Sequence, residues 1–288
     1  MFIATGGDKT SGGETLCLEA GAALLSRLVK KILITALSAA SMLSLSGTAT
    51  AATTAYPVKH PKLIANPLYE AGALPTSTCT EPPLKKNDRK AARTYVNAIV
   101  GCLETTWEQH LTGAGLPYRK AKVRYIDKLP KKYCGININN DDSQSLYCEQ
   151  TGTLVFQLGK DWLSDPSDLW LFTMVAETYA NHVQKLVGIY DAFDAAPAHS
   201  KAEVREQQRR NSLQLGCFGA AFLKSVWPLE GRTTKDWTYL QSLRSGDARG
   251  AERWFGKRAN VVAWTKRGFA TGDPGSCNTW AAASSKVA

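Results

Sequence analysis

Apolar residues recur along this chain with a period that changes from segment to segment. Ala92, Tyr95, Ile99, Leu103, Trp107 and Leu111 follow one another at three- and four-residue steps, which predicts a helix packed on one face, capped by Asn87 or Asp88 and ended by Gly113 or Gly115. AKVRYID (121–127) reads as a strand, and SLYCEQTGTLVFQLG (145–159) as two short strands around a turn near Thr151 and Gly152. A central helix is expected to start with Asp165 as N-cap, Pro166 at the first position and Asp168 adding negative charge near the amino end. Its main apolar face is Phe172, Val175, Ala176, Tyr179, Val183 and Leu186. At 100° per residue Glu177 and Asn181 fall on the other side, below Trp170 and Met174, so the start of this helix is apolar on both sides and should be buried. A second long helix is expected over about 201–227, and a third element near 236–268. Residues 52–83 carry several prolines and predict an extended lead-in, tied down by Cys79. The sum is a mainly helical α+β chain with a small sheet beside a central helix.

Composition agrees with a globular reading, since 288 residues with 44% hydrophobic side chains can bury one sizeable core or at most two small ones. The amino end is different. RLVKKILITALSAASMLSLSGTATAA has a basic n-region, an apolar h-region and an Ala49-Thr50-Ala51 cleavage pattern, which together predict a secretory signal peptide. Its apolar run, 32–45, is shorter than the roughly 20 residues a bilayer span needs, so no permanent membrane span is expected in the mature chain. The long stretch ahead of the n-region fits a start at Val29. The expected plan is therefore 1–51 as extension and signal peptide, 52–83 as lead-in, and 84–288 as the working domain.

Four basic and three acidic residues fall in 1–51, leaving 31 basic against 22 acidic, a net charge of +9 on the rest. That charge is scattered, from Lys85 and Lys86 through RKAKVR (119–124) to Arg209 and Arg210, which suits a solvated surface or attraction to an acidic cell-envelope polymer. Nucleic acid is not expected, because export removes the usual partner and no base-reading motif is present. Of seven cysteines, Cys17 lies in the part expected to be lost. The remaining six, Cys79, Cys102, Cys134, Cys148, Cys217 and Cys277, include no C-x-x-C zinc pair and predict disulfides in an oxidising compartment. Six cysteines allow 15 connectivities, and their positions alone do not choose.

Cys134-Gly135, Tyr147-Cys148, His182-Val183-Gln184, Gly188, Leu213-Gln214, Cys217 and GDPGSCNTW (272–280) occur in one order over about 200 residues. In that order and spacing the chain from about Cys79 onward resembles the bacterial neutral zinc metallopeptidases, secreted or envelope-linked proteins with a zincin-like active-site helix. Their pattern runs C-G, then Y-C, then H-E-x-G-H-H-V-Q-x-x-x-G, then E-L-Q-A-D-C, and ends in C-N-T. The resemblance implies a zincin-like metallopeptidase fold for 84–288. With chain order, it also favours the pairs Cys79–Cys102, Cys134–Cys148 and Cys217–Cys277.

The departures from that pattern decide the expected chemistry. Where the family has its first zinc histidine this chain has Glu177, where it has the general-base glutamate Thr178, and where it has the second histidine Asn181. Ser212 stands for the third-ligand glutamate, Gly216 for the supporting aspartate, and Phe255-Gly256 for a later H-G pair. Zinc hydrolysis of a peptide needs two neutral imidazoles four residues apart on one helix face, a carboxylate base beside the first and a third ligand. Asparagine and serine are poor zinc ligands, and Glu177 alone would hold a metal weakly. Zinc, expected in active relatives, is expected to be absent here, and no catalytic residue is assigned. His182, one position past the ligand slot, is expected to be a buried, hydrogen-bonded histidine. A buried Glu177 would need a donor, such as Asn181 or Arg209. Ser212 lacks a G-x-S-x-G setting for a nucleophile. The reading is a secreted pseudo-peptidase that binds an unknown peptide, protein or acidic envelope polymer. The alternatives are a hydrolase using a non-standard site around Glu177, or a residual zinc metallopeptidase.

Overall fold

Proline and acidic caps set the first elements. The computed structural model describes residues 58–164 and 168–288; the signal peptide, its cleavage site, Cys17, the Asp165–Pro166 cap and the Asp168 side chain lie outside them. Pro61 starts a short helix α1 (Pro61–Ile64) and Pro67 a 3-10 turn (Pro67–Glu70), so the lead-in is not extended throughout. Both turns bury a leucine, Leu63 and Leu68, in the main core. Asp88 accepts from the Ala91 amide at 2.9 Å and opens α2 (Arg89–Gly113), whose apolar stripe is buried from Ala92 to Leu111.

Five strands follow: β1 (Lys122–Tyr125), β2 (Lys132–Tyr133), β3 (Ile136–Asn137), β4 (Gln144–Cys148) and β5 (Thr153–Gln157). The turn at Gly152, with φ of +63°, lets β5 fold back antiparallel on β4, Tyr147 opposite Leu154. β1 pairs parallel on the other side of β5, giving the order β1-β5-β4, while β2 and β3 form a separate two-stranded hairpin. β4 and β5 are buried at every position, and β1 alternates exposed with half-buried residues.

The helical layer consists of α3 (Lys160–Leu163), α4 (Asp168–Leu186), α5 (Ile189–Asp194), α6 (Lys201–Ser225), α7 (Thr234–Leu243) and α8 (Arg258–Thr271), followed by a 3-10 turn at Pro274–Cys277. α4 is the expected central helix. One side packs on β4 and β5 and another on α6, where Phe172 stacks on Phe222 with centroids 5.7 Å apart. The single element expected near 236–268 is two helices. A capping box at Thr233 and Asp236 starts α7, and the 244–257 segment interrupts with Gly250 and Gly256 at positive φ, a conformation the helix cannot include. The architecture is thus α+β and mainly helical, with a small sheet beside a central helix.

The disulfides are Cys79–Cys102, Cys134–Cys148 and Cys217–Cys277, closing 23, 14 and 60 residues of sequence separation. They tie the lead-in to α2, the β2–β3 hairpin to β4, and α6 to the C-terminal segment. Gln214 on α6 adds a polar knot: it donates to Tyr69 Oη and to the Cys277 carbonyl, and accepts from Gln184 and the Trp280 indole. This buried network ties together four segments, the 3-10 turn at Tyr69, α4, α6 and the C-terminal segment.

α6 and α8 are in close contact at Gly268, where an added Cβ would lie 2.1 Å from the Cys217 carbonyl oxygen. Gly268→Ala must push the helices apart, and is expected to lower stability by about 2 kcal/mol or more. Chemical denaturation read by circular dichroism checks this.

Candidate functional site

The side of α4 opposite its sheet-facing residues presents Trp170, Met174 and Glu177, one above another at helical spacing. These three line a cavity of about 460 Å³, closed by Ser212 and Gly216 of α6, Thr265 and Val261 of α8, and the 244–255 segment. Gly219 lets α4 and α6 approach: a Cβ there would sit 2.9 Å from Glu177 Cγ, whereas one at Gly216 would be in ordinary contact, 3.9 Å from its Oε1.

Glu177 is only 5% exposed, and its carboxylate accepts from Arg244 Nη1 in a buried ion pair. Arg244 follows the last residue of α7. Its backbone carbonyl accepts from Arg258 Nε at 2.9 Å, and the same guanidinium caps the Gln241 and Ser242 carbonyls, fixing the end of that helix. Beyond it, Asp247 gathers the amides of Trp254, Phe255 and Gly256 at 2.7–3.1 Å, and its own amide donates to the Gly256 carbonyl. The loop is therefore a closed, internally bonded structure that carries Trp254 and Phe255 into the cavity wall.

The residues matched by the model described as "Putative neutral zinc metallopeptidase" are 51–251, which include α4, α6 and most of this loop. The chain belongs to this family. Two relatives, both named uncharacterized protein YpfJ, one from Escherichia coli strain K12 and one from Escherichia coli O6:H1 strain CFT073, are each 26% identical over 217 residues, covering 68% of this chain and 74% of theirs. No solved structure matches the chain significantly.

Against the metallopeptidase pattern, the structure brings together Glu177, Ser212, Gly216 and Phe255 at one cavity. Thr178 turns the other way. It is fully buried against β4, donating to the Met174 carbonyl at 2.7 Å and accepting from Ser145 Oγ at 2.8 Å. Asn181 is also buried and donates to the Glu177 and Thr178 carbonyls of its own helix, not to the Glu177 carboxylate. Arg209 reaches the Arg253 carbonyl and lies near Glu206, so the donor to Glu177 is Arg244 and neither residue expected from the sequence. Arg244, Asp247 and Trp254 were not legible as site residues. Arg244 lies 67 positions from its partner, and the one available signal was a glycine-rich break holding an aspartate.

These donors do not fit zinc as arranged. The one carboxylate facing the cavity from α4 is held by a guanidinium, the Asn181 amide nitrogen is turned to backbone carbonyls, and a serine hydroxyl completes the set. Among the described residues no three His, Cys, Asp or Glu side chains lie close enough to share a metal.

His182 is fully buried between the sheet and the loop before β1. A carbonyl can only accept, so Nε2 carries the proton it donates to the Arg119 carbonyl at 2.8 Å, leaving Nδ1 to accept from Tyr147 Oη at 3.0 Å. Burial holds this imidazole below its usual range, outweighing the hydrogen bond to the Arg119 carbonyl, which acts the other way.

Two outcomes follow from these contacts. Arg244→Ala leaves a buried carboxylate without its cation and is expected to cost about 3–5 kcal/mol, whereas Glu177→Gln combined with Arg244→Gln should restore most of that loss; urea titration of the three proteins checks it. For His182 the unfolded chain takes up its proton at higher pH than the folded one. The His182 contribution is thus complete above the usual 6.5 and declines as pH falls below it. The difference in stability between wild type and His182→Gln should shrink on acidification from about pH 7.5 to 5, measured by denaturation at each pH.

Proposed function

We propose that this chain is an exported, catalytically silent member of the metallopeptidase family, which acts by binding a peptide, a protein or an acidic envelope polymer in the cavity beside α4. The observation that carries the reading is the Arg244–Glu177 ion pair: the positive charge at this place on the helix is a tethered guanidinium. A guanidinium has no open coordination position and cannot polarise a water as a zinc ion does. Thr178, at the position of the general base, is a hydroxyl held inside the protein by Ser145 and Met174 and does not face the cavity. Three disulfides suit an oxidising compartment, and no helix among the described residues is long and apolar enough to cross a membrane. The excess of basic residues would draw an acidic polymer to the surface.

Metal analysis of the chain purified without chelator is expected to find far less than one zinc per chain, and a broad peptide library should show no cleavage that chelation abolishes. Stoichiometric zinc, lost together with a peptidase activity on chelation, would overturn the reading.

A further inference from the structure

Among the described residues, the large apolar side chains that stand exposed are Tyr239, Leu243 and Trp254, at 49%, 42% and 37%. They share one place. Tyr239 and Leu243 are four residues apart on α7 and so lie on one face of it, while Leu243 and Trp254 both line the 460 Å³ cavity and, being exposed, mark its mouth. Lys235, one turn before Tyr239, continues the same stripe and is exposed. Exposed apolar surface gathered in one patch and rimmed by polar groups marks an interaction site.

The loop that carries Trp254 is basic where it meets solvent. Its acids are engaged: Asp247 holds three backbone amides, and Glu252 holds Arg205 and the Trp254 indole. Arg205 also lies over the Trp254 ring, 5.5 Å from its centroid. Arg249, Arg253 and Lys257 are exposed, and among the described residues none of them has a carboxylate within ion-pair distance. Uncompensated positive charge beside apolar side chains selects a partner that is both anionic and apolar. A second copy of this chain is disfavoured, because the chain after residue 51 carries a net charge of +9 and the rim itself is basic. Three apolar side chains are also few against the roughly 20–30 residues a side of a standard protein interface. Tyr, Trp and Leu beside Lys and Arg are instead the mix that settles at the headgroup level of a bilayer.

We propose that this face is a peripheral docking surface for an anionic lipid bilayer. Tyr239, Leu243 and Trp254 enter the headgroup region, while Lys235, Arg249, Arg253 and Lys257 pair with lipid phosphates. The proposal goes beyond the cavity-binding reading above, and it turns the mouth of the cavity toward the lipid surface.

The test is flotation of the full chain with vesicles of phosphatidylcholine alone and of equal parts phosphatidylcholine and phosphatidylglycerol. Residues 32–45 are apolar but common to every protein compared, so differences between variants report on the patch. Wild type is expected to bind the anionic vesicles about tenfold more strongly than the neutral ones or better, and less as salt rises. The triple variant Arg249→Ala, Arg253→Ala and Lys257→Ala should lower anionic binding on the order of a hundredfold, since each base near the surface contributes about fivefold. Removing as many bases on and after β1, at Lys122, Arg124 and Lys128, is expected to cost far less. Leu243→Ser with Trp254→Ala should lower binding about tenfold at unchanged charge. Tyr239→Ser with Leu243→Ser, on one exposed helix face, replaces that pair if circular dichroism shows it unfolded. Equal losses from the two triple variants, or a folded apolar variant that binds like wild type, means adsorption by overall charge and overturns the proposal. Soluble polyglutamate bound as tightly as the anionic vesicles also overturns it, in favour of an acidic protein. So does a dimer that the apolar variant splits, found together with no preference for anionic vesicles, which assigns the patch to a second copy. Zinc content and peptide cleavage are read separately, so membrane docking and the silent-enzyme reading can each fail while the other stands.

Discussion

A carboxylate placed between two packed helices dictates much of what surrounds it. Glu177 lies where α4 and α6 pass close together, and taking its charge out of water is tolerable only beside a cation. Arg244 supplies that cation from the end of α7, so the chain must bring residue 244 to this point. Everything from 244 to 256 then has to close over the same face. The Asp247 carboxylate, collecting three amides of the returning loop, makes that closure rigid, and the cavity is the space left beneath.

The helix approach that buries Glu177 is itself a consequence of glycine. At Gly219 any side chain would meet the Glu177 backbone and Cγ, and at Gly268 of α8 it would meet the Cys217 carbonyl, so α6 is gripped on two sides, by α4 over its own Gly219 and by α8 through Gly268. The Cys217–Cys277 bridge and the Gln214 network bring the C-terminal segment onto the same helix. Arg210 completes the attachment by donating to the carbonyls of Thr279, Trp280 and Ala282 while paired with Glu206. One wall of the cavity is therefore among the most constrained parts of the molecule. Preorganised walls limit the entropy lost when a ligand is held.

The arrangement retains the metallopeptidase scaffold, and on the proposed reading it serves binding in place of hydrolysis. Zincin-type hydrolysis needs ligands that share an ion; on the proposed reading the side chains at those positions divide among separate tasks. Glu177 pairs with an arginine, Thr178 bridges to the sheet, and Asn181 bonds its own helix. The surface left at the cavity is largely aromatic and aliphatic.

The elements themselves were legible in the sequence where local rules decide them. The α2 stripe, the Asp88 cap, the β4–β5 turn at Gly152 and the long α6 each depend on neighbours within a few residues, and periodicity and capping report such neighbours directly. The disulfide pairs followed from chain order and family resemblance. The apolar pair Trp170 and Met174 above Glu177 also showed in the helix register, and that side of α4 became the cavity. What only the tertiary structure decided was the partner of the buried charge. Arginine is common in this chain, and the choice of Arg244 over Arg209 depends on where α7 ends relative to α4. The split of the last predicted element into α7 and α8 belongs to the same class, because its glycines permit a break while the contacts of Arg258 and Asp247 shape it. Local sequence fixes dihedrals and faces, whereas a charge pair 67 residues apart is fixed by the packing that brings its two helices together.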